Sequence, residues 1–229
     1  MKSDHFLPLS FNDVNVIFNE KAVLKNINLN VNDDGISVII GSNGSGKTML
    51  LKCCANLILP NSGRVNWKRP PKPPQLTFVP QKPVLLDRRV LDNIRLPLAH
   101  NKINNIDQRC EEALAWSNIS DLSQQHISTL STGEQQLVAL TRAWALAPHI
   151  LILDEPTANL DPVRTKKINH LIREMSQSCK IIMATHSLQQ ANELASNIIL
   201  IEYGQIVSNL KNEEFFNSNA HERFIGNHY

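Results

Sequence analysis

The chain has 229 residues, 42% of them hydrophobic, and a formal net charge of +2. That length is enough to bury one sizeable core, so a single domain with a subdomain is expected. The near-neutral balance excludes the strongly basic field that marks nucleic acid as a main partner.

From the N-terminus, alternation at Val14, Val16 and Phe18, then at Ile27, Leu29 and Val31, predicts two half-buried strands of an antiparallel sheet. Ile36 to Ile40 is a short, nearly continuous β-branched run that suits a strand buried on both faces, and it leads straight into a glycine-rich turn. A helix is expected from about Thr48 to Leu59, closed by Pro60-Asn61-Ser62-Gly63, followed by a strand at Leu76 to Val79. Between them, Lys68 to Pro74 (KRPPKPP) reads as an extended surface connection.

From Gln81 to about Ala147 the spacing turns helical, around Val90, Leu91 and Ile94 and again at Ala113, Leu114 and Trp116. Buried-strand patterns return at Ile150 to Leu153, Lys180 to Ala184 and Ile198 to Ile201, separated by segments long enough for crossover helices. The expected fold is α/β, with a parallel core sheet, an N-terminal antiparallel β part and an inserted helical subdomain. In residue terms, 1–81 and 148–229 form the core and 82–147 the insertion.

Cys53, Cys54, Cys110 and Cys179 include no C-x-x-C pair and no zinc-ligand spacing, so free thiols in a reducing compartment are expected. No apolar run approaches the ~20 residues needed to span a bilayer. The opening MKSDHFLPLS lacks the basic start and apolar stretch of a secretory leader. A cytosolic chain that meets a membrane only through a partner is the expectation.

Two motifs carry phosphate chemistry. Gly41-Ser42-Asn43-Gly44-Ser45-Gly46-Lys47-Thr48 fits the phosphate-loop pattern G-x-x-x-x-G-K-T, between a predicted strand and a predicted helix where that motif must sit. Its glycines let backbone N–H groups close around phosphates, Lys47 reaches the outer phosphates, and the Thr48 hydroxyl suits magnesium. Asp154 and Glu155 end a buried strand, at the edge where parallel sheets bind ligands. Asp154 is placed to support Mg2+ and Glu155 to polarise an attacking water.

These residues establish a phosphate-loop NTPase, and Leu130-Ser131-Thr132-Gly133-Glu134-Gln135-Gln136 narrows the choice, because it resembles the L-S-G-G-Q signature of ABC ATPases. The rest of that family's pattern stands in order: Phe18 as an adenine-stacking aromatic, Gln81 in the Q-loop, Asn159-Leu160-Asp161 as the D-loop, and His186 after a strand. Local readings compete. Ser131 with Glu134 and Ser187 with Gln190 fit helix capping boxes, Asp161-Pro162 is an N-cap and first-turn pair, and Phe18 suits a strand core. Thr132 departs from the family by replacing a signature glycine, and Leu137 stands where an arginine commonly follows.

The resemblance implies a head-to-tail pair of subunits holding two ATP molecules, each between the phosphate loop of one copy and the signature of the other. Lys47, Mg2+ (through Thr48, Asp154 and Gln81), His186 and the partner copy's signature serine would share the γ-phosphate charge, while Glu155 directs water. It further implies transmembrane permease subunits and an extracytoplasmic substrate-binding protein. The chain would then sit peripherally on the inner face of the membrane, docked through apolar residues just beyond Gln81. That stretch and the C-terminal extension around Glu214-Phe215-Phe216 resemble ATPases of tungstate importers, and more broadly those for molybdate and phosphate. A soluble ABC ATPase of DNA repair or ribosomes is the alternative; such chains usually carry two cassettes or a long coiled-coil insertion.

Overall fold

The computed structural model describes residues 6–32 and 35–226. Residues 1–5, the start of the stretch read for a leader, lie outside the described residues, as do 227–229. Strands β1 (Leu9–Phe18) and β2 (Lys21–Val31) pair antiparallel around a tight turn, with Asn19 and Glu20 both at positive φ, 47° and 63°. Two consecutive left-handed residues are the hairpin geometry that matches strand twist. Val14, Val16, Ile27, Leu29 and Val31 are buried as their alternation predicts.

Strand β3 (Ile36–Ile40) runs into the glycine-rich turn and helix α1 (Lys47–Cys54). The helix is shorter than the expected Thr48 to Leu59. Asn56 turns left-handed at φ 55°, its N–H bonds the Cys53 carbonyl at 3.0 Å, and the Leu57 N–H bonds that of Lys52 at 2.9 Å. That pair of bonds is a Schellman stop, with asparagine in the place glycine usually takes. Next comes β4 (Ser62–Trp67), a strand the sequence reading missed, which pairs antiparallel with the outer side of β1.

Strand β5 (Leu76–Val79) precedes the segment expected to be helical from Gln81. Helix α2 begins only at Val90 (Val90–His100), followed by α3 (Ile106–Trp116) and α4 (Thr132–Ala145). Residues 81–89 stay outside the helix, and fully buried Asn93 pins the end of that stretch at Leu86 and Arg89. Its Oδ1 accepts from the Leu86 N–H at 2.7 Å, and its amide donates to the carbonyls of Leu86 and Arg89, both at 3.0 Å. Trp116 and Trp144 stack at 5.0 Å between α3 and α4.

The remaining elements are β6 (Ile150–Asp154), α5 (Pro162–Ser176), β7 (Lys180–Thr185), α6 (Leu188–Leu194), β8 (Asn197–Glu202), β9 (Gln205–Lys211), α7 (Asn212–Phe216) and α8 (Asn219–Gly226). The main sheet runs β5-β6-β7-β3-β8-β9, parallel from β5 to β8, with β9 antiparallel at the edge. Strand period divides its apolar residues between two cores. Val38, Ile40, Leu151, Leu153, Ile181, Met183, Ile198 and Leu200 face the helices α2 to α6. Ile39, Ile150, Ile152, Ile182, Ala184, Ile199 and Ile201 face α1 and the antiparallel sheet. Burial of each large side chain is worth roughly 1.5–3 kcal/mol, so the sheet that carries the site is anchored by apolar packing on both faces. All four cysteines are buried and free, and burial pushes the Cys53 thiol up to about 11 and that of Cys179 to about 12. Among the described residues no helix is long and apolar enough to cross a membrane.

Candidate nucleotide site

A cavity of about 490 Å³ opens beyond the C-terminal ends of β3, β6 and β7, lined by Val23, Asn43, Gly44, Gly46, Lys47, Thr48, Met49, Gln81, Glu155, Ala158, Asn159 and His186. Parallel sheets present their loops at this edge. The glycine-rich turn is held from behind by the β8–β9 hairpin, whose Gly204 N–H donates to the Ser45 carbonyl at 2.9 Å and whose Gly204 carbonyl accepts from the Lys25 N–H at 2.8 Å. Gly46 caps α1 at φ 111°, and a Cβ there would press on Leu24 Cδ2 at 3.0 Å and the Val23 carbonyl at 3.1 Å. Only glycine satisfies both the backbone and the space.

Lys47 is buried, and its ammonium donates to the carbonyls of Gly41 at 2.8 Å and Ser42 at 3.1 Å, with Glu155 Oε1 at 3.5 Å. Thr48 Oγ1 donates to Asp154, 2.9 Å from Oδ2 and 3.2 Å from Oδ1. Burial raises the Asp154 carboxyl above its ordinary range, and the Thr48 bond opposes that rise. A hydroxyl and a carboxylate side by side offer oxygen donors of the type a hard divalent cation takes, which fits Mg2+. Gln81 adds an exposed amide at the cavity wall.

Glu155 leaves β6 in a left-handed conformation, φ 46°, with its N–H on the Ala184 carbonyl at 3.0 Å. Such a backbone is uncommon for a residue with a side chain and is found where surrounding structure fixes a side chain's aim. Glu155 Oε2 lies 2.8 Å from His186 Nδ1 and accepts from the His186 N–H at 3.3 Å. A carboxylate can only accept, so Nδ1 donates and Nε2 is left for a ligand. The carboxylate is thus clasped by Lys47 and His186 from two other elements.

Eight predicted site residues do not line the cavity: Gly41, Ser42, Ser45 and Asp154, which bond Lys47, Thr48 or the β8–β9 hairpin from behind it, and Phe18, Ser131, Gly133 and Asp161, which lie apart from it. Phe18 is 54% exposed at the end of β1, so the strand-core alternative fails and its ring is free to stack. Ser131 caps α4 and forms the expected capping box, with Glu134 accepting from the Ser131 N–H at 2.8 Å and its hydroxyl at 2.6 Å. Asp161 caps α5 by accepting from Val163 and Arg164, with Pro162 in the first turn. Ser187 caps α6, but Gln190 does not close a box; its amide turns inward to Asn169 Oδ1 at 2.8 Å. Thr132 is exposed at the start of α4, whereas Leu137 is buried in the helix-side core, so its side chain serves packing. Sequence reasoning passed over Val23, Met49 and Ala158, which line the cavity with no motif to mark them.

A family model described as ABC transporter matches residues 24–158. The tungstate uptake system ATP-binding protein TupC of Peptoclostridium acidaminophilum is 38% identical over 183 residues, 75% of this chain and 83% of that protein. The phosphate import ATP-binding protein PstB of Campylobacter jejuni is 29% identical, covering 92% of this chain and 94% of that one. A solved ATP-binding cassette, described as dimeric in a post-hydrolysis state with ADP and Pi, superposes with a TM-score of 0.78 at 25% identity, over 89% of this chain and 98% of that one. With a phosphate loop, paired carboxylates and a histidine converging on one cavity, the chain belongs to the ABC transporter family as an ATP-binding subunit, and its activity is ATP hydrolysis.

Proposed function

We propose that this subunit energises an importer of a small oxyanion such as tungstate, working as a head-to-tail pair with a second ATPase subunit, in the first instance a copy of itself. The pair docks on transmembrane permease subunits at the inner face of the membrane, and an extracytoplasmic binding protein delivers the anion. The oxyanion reading is supported by similarity to TupC and PstB, whose names give tungstate uptake and phosphate import. Exposed Val84 and Leu86, just past Gln81, supply the apolar surface for the permease. The division into a core of 1–81 and 148–229 and a helical insertion of 82–147 belongs to the same reading.

The observation that carries the chemistry is the Glu155 carboxylate held between Lys47 and His186. Lys47 neutralises the outer phosphates, and the N–H groups of 41–48 close around them. Phe18 stacks on the adenine. Thr48, Asp154 and Gln81 would hold Mg2+, which would supply charge neutralisation at the phosphates. Glu155 takes the proton side of the attacking water and directs it in line, while His186, with a proton on each ring nitrogen, keeps that carboxylate aimed through Nδ1 and donates from Nε2 to the γ-phosphate. Ser131 and Gly133 present the α4 N-terminus to the nucleotide of the partner copy, and Asp161 holds the adjoining loop in place.

Glu155→Gln tests this: ATP binding is retained, turnover falls at least about tenfold, and ATP traps a dimer on gel filtration. Near-normal hydrolysis would remove Glu155 from its role. For the transport reading, the tagged protein is recovered from gently solubilised membranes at native expression and its companions identified by mass spectrometry. A polytopic permease is expected, whereas ribosomal or DNA-repair components alone would overturn it.

A further inference from the structure

The turn at Ser131–Gly133 meets a distant segment of the chain through Leu160 and through a side chain that no motif marks, Arg164. A Cβ built on Gly133 would lie 2.4 Å from Arg164 Cδ and 2.9 Å from its Nε, with Leu160 Cδ2 at 3.5 Å. The aliphatic stem of Arg164 therefore lies directly against the Gly133 backbone. Its guanidinium reaches the other way, donating from Nη1 to Asp161 Oδ2 at 3.0 Å, while its own N–H bonds Asp161 Oδ1 at 2.9 Å. Glu134, whose carboxyl the Ser131 hydroxyl and N–H draw below its ordinary range, also feels the Arg164 charge.

The segment 155–164 thus begins in the nucleotide cavity with Glu155, Ala158 and Asn159, and ends beneath the signature turn with Leu160 and Arg164. A bare cation at a helix N-terminus is unfavourable, so its pairing with Asp161 and proximity to Glu134 are what make the position tolerable. We propose that Arg164 is a positioning residue that locks the signature turn to the 155–164 segment, so that the turn is presented to a second copy's nucleotide in a fixed orientation. This rests on the reading that the turn engages a partner's nucleotide.

The test uses the full chain. Arg164→Ala lowers kcat about fivefold while affinity of the isolated subunit for a fluorescent ATP analogue stays within about twofold. Gly133→Ala, forced against the arginine stem, falls about twentyfold, and the double variant G133A/R164A returns to the level of R164A because the obstructing atoms are gone. G133A/R164K, which keeps a stem of similar reach, stays as low as G133A. Losses that simply multiply in G133A/R164A, or an unaltered kcat in R164A, would overturn the proposal. Should Gly133→Ala fail to fold, the E155Q background decides: E155Q/R164A is expected to need about threefold more ATP than E155Q to form the trapped dimer. An equal requirement overturns the role of Arg164 alone, whereas E155Q that never dimerises overturns the underlying reading with it.

Discussion

The nucleotide cavity and the signature turn are built in opposite ways. In the cavity the reactive side chains are tied to distant parts of the chain: Thr48 to Asp154, Lys47 to Glu155 as well as to the carbonyls of its own loop, Glu155 to His186. The signature turn is satisfied almost entirely by itself, Ser131 with Glu134 three residues on, and its longer-range neighbours are Leu160 and Arg164. One region is assembled by the sheet; the other is a locally stable shape held out at the start of a helix. The carboxylates reflect this, since burial raises Asp154 while exposed hydrogen bonds from Ser131 lower Glu134. A half-site that is finished internally and a turn that lies outside it are what two copies facing each other require.

The sharpest way to break the comparison is at Lys47. Lys47→Ala removes the buried ammonium and leaves Glu155 with His186 alone, and ATP affinity is expected to fall about a hundredfold, near 2.8 kcal/mol. Titration with a fluorescent ATP analogue reads this on the isolated subunit, and unchanged affinity would contradict the phosphate-loop reading. Ser131→Ala should separate the regions from the other side. Affinity of the isolated subunit stays within about twofold, while steady-state turnover falls about tenfold through loss of one donor to the partner's phosphate. If both quantities fell together, the turn would belong to the cavity of its own chain.

The same contrast explains what could be read in advance. The phosphate loop was legible because its demands are local, a run of glycines between an apolar strand and a helix. The parallel core was legible because strands buried on both faces are nearly continuous apolar runs, as in Ile150 to Leu153 and, after Lys180, Ile181 to Ala184. Strands β4 and β9 escaped because each is mixed in polarity and lies at a sheet edge, with Ser62, Gly63 and Arg64 exposed in one and Gln205, Asn209 and Lys211 exposed in the other. The end of α1 was misplaced because Asn56 supplies the left-handed stop without a glycine to announce it. Arg164 was invisible for a different reason, since its significance is a contact with Gly133, thirty-one positions earlier, that no spacing rule encodes.

The smallest expected effect tests whether the signature turn is as self-contained as it looks. Glu134→Ala removes an acceptor for two Ser131 donors, and loss of that capping box should cost about 0.5–1 kcal/mol near neutral pH. Because the Glu134 carboxyl lies below its ordinary value in the folded chain, its contribution is complete above that value and is lost as pH falls through the lowered one. Urea midpoints of the natural protein and E134A should therefore differ at pH 7 and converge in acid. A gap that persisted below the carboxylate range would mean that Glu134 acts through packing. A gap much larger at pH 7 would mean that the turn leans on Arg164 and the 155–164 segment for its fold as well as for its orientation, and the division between an assembled site and a local one would narrow accordingly.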